Sequence, residues 1–169
     1  MNSIVKPVRR ALAVKGIALA ALFGSVIAAP VALAQDYGPN VTLAQAKVVI
    51  AAAEAEAIRQ NFNVAIAVVD TAGNLVAFER RDNTQTASVQ VAQDKASTAA
   101  MYKRPSKALQ DALAGGGAGL RVMGLYGVTP VEGGIPLVVN GLIIGAVGAS
   151  GVTSEQDSMV ATAGAAALK

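Results

Sequence analysis

Along the chain, stretches in which apolar residues recur every three or four positions alternate with stretches in which they run together. Leu43, Ala46, Val49 or Ile50, Ala53 and Ala57 repeat at helical spacing to about Gln60, and Thr42 with Gln45 forms a capping box in front of them. This pattern predicts a first helix. The stretch "NVAIAVVDTAGNLVAFER" then changes to runs of Val, Ile and Phe around "DTAGN", whose residue types favour a tight turn. It predicts an antiparallel hairpin of residues 64–69 with 75–79. Val89, Ala92, Ala96 and Ala99 mark a helix over residues 86–102, with Gln90, Gln93, Asp94 and Ser97 on its other face and Pro105 beyond its end. A shorter helix follows over 106–114, stopped by "GGGAG" at 115–119. No Gly-Lys-Ser/Thr follows these glycines and no strand leads into them, so they read as a bent loop rather than a phosphate loop.

Two more apolar runs, residues 135–139 and 142–149, are joined by Asn140-Gly141, a pair suited to a type I′ turn because both central residues need positive φ. Continuous rather than alternating apolarity predicts strands covered on both faces. Gly145, Gly148 and Gly151 leave the surface there bare, as happens where a backbone, a helix or a ligand lies close. Thr153 and Gln156 form a second capping box, Glu155 and Asp157 suit the positive end of the helix dipole, and Val160, Ala163 and Ala167 give the last helix an Ala-rich face. The order helix, hairpin, helix, short helix, hairpin, helix defines an α+β domain with an antiparallel sheet flanked by helices.

The first 34 residues do not fit this domain. Lys6, Arg9, Arg10 and Lys15 precede an uncharged run, and Ala32-Leu33-Ala34 has the A-x-A form, so residues 1–34 are expected to be a secretory signal peptide cleaved before Gln35. An uncleaved membrane anchor is the alternative, since about 20 apolar residues would span a bilayer. Gly24, Pro30 and the small-residue cleavage site argue against it, and contact with a membrane is expected only if the segment stays on. Arg9-Arg10 leaves the export route open. Residues 35–40 then form a short flexible arm and 41–169 the domain, in a periplasmic or secreted protein.

Cleavage changes the electrostatics. The whole chain has a formal charge of +3, but loss of four of its fourteen basic residues leaves ten against eleven acids, or −1. No electrostatic footprint for nucleic acid or an anionic membrane remains. Cysteine and histidine are absent, which excludes disulfides, thiolate nucleophiles, Ser-His-Asp triads and His or Cys metal sites. Trp is absent as well, so the core is built from Ala, Val, Ile and Leu and offers few stacking platforms for single-stranded nucleic acid.

Three stretches carry a resemblance. "EGGIPLVVNGLIIGAVGASGVTSEQD" at 132–157 with the "VATAGAAAL" after it, "DKASTAA" at 94–100 and "AIAVVDTAGNLVAFERRD" at 65–82 resemble the GlcG/HbpS family over nearly all of residues 41–168. The resemblance implies a single profilin-like or PAS-like domain that forms homo-oligomers. It also implies haem binding in some secreted members, while others are encoded beside organic-acid catabolism. Haem-binding relatives are expected to use weak oxygen ligation or a histidine, and the latter is impossible here.

The available axial candidates for haem are Tyr102, Met101, Tyr126 and Met123, with Lys103 and Arg104 placed to meet the propionates. Ordinary packing of Met101 and Tyr102, and a solvated face for Lys103, Arg104 and Lys107, is the bland alternative. A second ligand class is a small organic acid. Lys95 and Thr98 share a helix face, Glu132, Gly133, Gly134 and Ser150 supply polar groups and backbone donors, and a carboxylate suits the helix N-terminus near Thr153 and Asp157. Against this, Lys95 can pair with Glu132 or Asp157 at a subunit interface and Ser150 can serve a turn. General acid-base work would fall to Glu132, Asp157, Lys95 or a Tyr, and no motif supports it. The Ala-rich helices and Gly-spaced strands also suit an assembly protein without a ligand. The expectation is a non-enzymatic ligand-binding protein, haem first and a small organic acid second, with no protein-ligated metal ion.

Overall fold

The computed structural model describes residues 35–168, so the expected signal segment 1–34 lies outside the described residues. The elements are α1 (Leu43–Gln60), β1 (Ala65–Val69), β2 (Leu75–Arg80), α2 (Ser88–Met101), α3 (Ser106–Ala114), a 3₁₀ helix (Gly117–Gly124), β3 (Gly134–Val139), β4 (Leu142–Ser150) and α4 (Ser154–Ala165). The strands lie in the order β2-β1-β4-β3, every pair antiparallel, which is the expected α+β architecture.

Local chemistry sets the boundaries. Thr42 and Thr153 each exchange capping-box bonds with the Gln three residues on, closing the N-termini of α1 and α4. Asn140 (φ 51°) and Gly141 (φ 77°) turn β3 into β4 with the positive angles of the expected turn.

The two faces of the sheet are built differently. Ile66, Val68, Leu137 and Val147 pack on Val49, Ala53 and Ala57 of α1 and on Val160 and Ala161 of α4. On the other face, Ala65, Ala67, Val69 and Ala146 meet Ala92, Ala96, Ala99 and Ala100 of α2. Small side chains on both sides let α2 settle almost onto the strands. A Cβ at Gly148 would collide with the Ala92 carbonyl, and one at Gly134 with the Lys95 carbonyl. Of the bare surface foreseen from the glycine spacing, Gly148 is therefore covered by a helix of the same chain, whereas Gly145 and Gly151 lie against the backbone carbonyls of Val69 and Asn63.

Four local expectations are corrected. The arm at 35–40 is not free: β1 stops pairing with β4 at Ala146, and the arm takes over the unpaired backbone beyond it, with Gly38 N–H donating to Ile143 and Val41 N–H to Ile144. The glycine tract is also more ordered than a loop, because after turns at Gly116 and Gly117 the chain winds into the 3₁₀ helix. The buried face of α4 is Asp157, Val160, Ala161 and Gly164 rather than the Ala163 and Ala167 stripe. In a helix so rich in Ala and Gly, hydrophobicity alone does not separate one face from another. The coverage of both strands of the second hairpin is only half realised, since β4 is buried nearly throughout while β3, an edge strand, is partly exposed.

Candidate functional site

Lys95 and Asp157 come from helices on opposite faces of the sheet and meet around its end. Lys95 is only 1% exposed, and its Nζ donates to Asp157 Oδ2 at 2.7 Å and to the Ala149 carbonyl at 3.2 Å. The other Asp157 oxygen accepts from Val152 N–H at 3.2 Å. Burial raises the Asp157 pKa above its ordinary value, against the opposing pull of the Lys95 hydrogen bond and charge. A side chain at Gly133 would press on the Lys95 ammonium, so the glycine keeps room for the pair.

The remaining polar groups around this pair are also bonded internally. Thr98 Oγ1 accepts from Thr129 N–H at 2.8 Å, Ser150 and Ser88 hydroxyls share a 3.1 Å bond, and Gly134 N–H donates to Ser106 Oγ at 2.9 Å. Lys95, Gly133 and Asp157 are thus brought together, with Thr98, Gly134 and Ser150 in the same buried layer. Of the two partners open to Lys95 it takes Asp157, and it does so within one chain. The arrangement is that of a polar staple between layers.

Glu132 stands outside the staple. Its Oε2 is 3.8 Å from Lys107 Nζ, which binds Asp111 more closely, and its backbone N–H donates to Gln110 Oε1 at 2.7 Å. The Asp111 hydrogen bond is the main cause of a raised Lys107 pKa. Glu132 also borders a cavity of about 490 Å³ with Glu56, Glu155, Met159 and Thr162.

A second group forms at the C-terminal end of α2. Tyr102 OH donates to the Tyr126 carbonyl at 2.7 Å, tying this end to the segment after the 3₁₀ helix. The 3₁₀ helix and that segment together carry a run of exposed apolar side chains: Leu120, Met123 (71% exposed), Leu125 and Tyr126 (86% exposed). Lys103 Nζ lies 4.2 Å from the centre of the Tyr37 ring, and Arg104 Nε donates to the Tyr102 carbonyl at 2.9 Å. Tyr102, Met123, Tyr126, Lys103 and Arg104 therefore belong to one end of the molecule. Met101 turns elsewhere, since its sulfur packs beside Gly73 in the β1–β2 turn.

Tyr37 is a member that sequence reasoning missed. Its hydroxyl donates to the carbonyls of Ala100 and Met101, 63 and 64 residues away, a pairing with no local signature.

This fold, a four-stranded antiparallel sheet with helices packed on both faces, defines a small α+β domain. Residues 41–166 match the family described as "Haem degrading protein HbpS-like", and the chain belongs to that family. It is 42% identical to protein GlcG of Escherichia coli K12 over 105 residues, which are 62% of this chain and 77% of GlcG. A crystal structure of a double mutant of Streptomyces reticuli HbpS superposes with a TM-score of 0.72 at 30% identity, covering 84% of this chain and 98% of that one. The crystal structure of a PduOC:haem complex superposes with a TM-score of 0.69 at 27% identity, covering 77% and 96%.

Proposed function

We propose that the protein is a secreted or periplasmic, non-enzymatic haem-binding protein. The observation that carries this reading is the junction of exposed Met123 and Tyr126 with Tyr102, Lys103 and Arg104 at one end of the domain. Haem is a flat apolar ring with two carboxylates on one edge, and this end offers the matching pair of features: an uncovered apolar run and two fixed-charge donors. Phenol and thioether are among the side-chain groups that ligate haem iron, and Tyr126, Tyr102 and Met123 supply them without histidine or cysteine. When bound, haem supplies a redox-active iron centre, while the residues here bind and orient it. The PduOC:haem complex on the same fold supports the reading.

The candidate surface is open rather than enclosed. The homo-oligomer that the family resemblance implies would let a second copy of the chain cover the outer side of a ligand held there. Location outside the cytoplasm rests on the signal-like pattern of residues 1–34.

Titration of the purified protein with haemin, followed in the Soret region, tests the proposal. A stable, saturable band supports a binder. A band that bleaches under ascorbate and oxygen would instead make the protein a haem-degrading enzyme, the activity that the family description names.

A further inference from the structure

Helix α1 is apolar on two opposite sides. Ala46, Val49, Ile50, Ala53 and Ala57 are buried in the core between the helices and the sheet. On the other side Ala44, Val48, Ala51, Ala55 and Ile58 are all exposed, Val48 by 48% and Ile58 by 57%. Their spacing alternates four, three, four and three residues, the heptad interval of a helix that packs along another helix. A surface helix ordinarily turns one apolar stripe to the core and polar residues to water, whereas a helix apolar on both sides is a buried one. The outer stripe of α1 therefore has the composition of an interface and the exposure of a surface.

The charges beside the stripe are self-complementary. Lys47, exposed, and Glu54, half-buried, stand seven residues apart and so share one flank of it. Among the described residues, the ion pairs within the chain include neither. Two copies of α1 laid antiparallel, with Val48 against the partner's Ala51 and Ala44 against the partner's Ala55, bring Lys47 beside the partner's Glu54, and two-fold symmetry makes that pair twice. A parallel arrangement would set Lys47 against the partner's Ala52, with no charge to meet. A lipid surface is a poorer occupant, because Glu54 and Glu56 flank the stripe as well as Lys47 and Arg59, whereas a helix that lies on a membrane gathers Lys and Arg.

We infer that the outer face of α1 is an interface between two copies of this chain, packed antiparallel about a two-fold axis level with Val49 and Ile50 and held in register by Lys47 and the partner's Glu54. From Ala44 to Ala55 the seam runs about 17 Å at 1.5 Å per residue. That is short beside the roughly 800 Å² per partner of a stable complex, so this contact forms and dissociates with concentration. It shares no residue with the proposed haem surface and holds whether or not haem binds.

Sedimentation velocity of the purified protein, from low micromolar to near-millimolar concentration, tests the contact through its charges. The parent should associate as concentration rises. Lys47→Glu and Glu54→Lys each turn two attractive contacts into two repulsive ones and should weaken the association about tenfold. Mixing the two variants should restore it, because each chain then meets an opposite charge at both positions of the other. Val48→Asp puts a charge on the seam itself and should abolish this contact, with the circular dichroism of the parent because Val48 is on the surface. If other contacts build a larger oligomer, the same substitutions should lower its mass and the mixture should restore it. A parent that stays monomeric throughout would overturn the inference and leave the stripe to another occupant. So would assembly unaffected by Val48→Asp, or a mixture of the two charge variants no more associated than either alone.

Discussion

Lys95 Nζ lies 2.7 Å from Asp157 Oδ2 with both side chains almost wholly excluded from water, and the pair joins α2 on one face of the sheet to α4 on the other. Neither flanking helix needs this contact for its own formation. Its effect is to lock the two helical layers in one register around the sheet end, where Gly133 leaves room for it.

Removing one partner should therefore cost more than removing both. Lys95→Met leaves a carboxylate buried without its counter-charge and should destabilise the fold by about 3–5 kcal/mol, whereas Lys95→Met combined with Asp157→Leu should recover a large part of that loss. Urea denaturation of the single and double variants measures both values. A cost below about 1 kcal/mol for the single variant would place the pair among ordinary exposed ion pairs and contradict the staple.

The close seating of α2 leads to a second expectation. Gly148→Ala puts a methyl group against the Ala92 carbonyl and should lower stability by at least about 1–3 kcal/mol, because helix and strand backbones must separate. Gly124→Ala adds a methyl with no neighbouring atom in reach and should stay within about 0.5 kcal/mol of the parent. Thermal melts of the two variants side by side give the comparison.

Acid–base behaviour gives a third. Glu79 titrates above its unfolded value, so it binds its proton more tightly in the folded state. Its favourable contribution is complete below the ordinary Glu pKa and is lost as pH rises through the raised folded value. Glu79→Gln removes that loss. The variant should gain stability relative to the parent on going from acid to neutral pH, read from melting temperatures across that range. A difference that does not change with pH would contradict the raised pKa of Glu79.

Much of the fold was legible because its signals are local. Thr42 with Gln45, Thr153 with Gln156, and Asn140-Gly141 each act over three or four residues, and all three did what their chemistry predicts. Gly148 announced that something lies close to the sheet, but not that it was α2, since a glycine records only a missing side chain. The Lys95 partner, 62 residues away, was open between Glu132 and Asp157. Tyr37 was unreadable as part of the α2 terminus because the arm is placed by unpaired backbone on β4, which has no side-chain signature. Arg81 was not distinguished from Arg80 for a similar reason: one neighbouring guanidinium finds a carbonyl and the other does not, and only the packed structure separates them.

Haem binding at the Tyr102–Tyr126 end is the central claim, and haemin titration of the parent, Tyr126→Phe and Met123→Leu tests it most directly. The account predicts a saturable, shifted Soret band in the parent that is displaced or weakened in at least one of the two variants, with melting temperatures of the haem-free proteins unchanged because both side chains are largely exposed. A parent that shows no saturation with haemin would contradict the account, and so would a band identical in the parent, both variants and a variant carrying Lys103→Ala with Arg104→Ala.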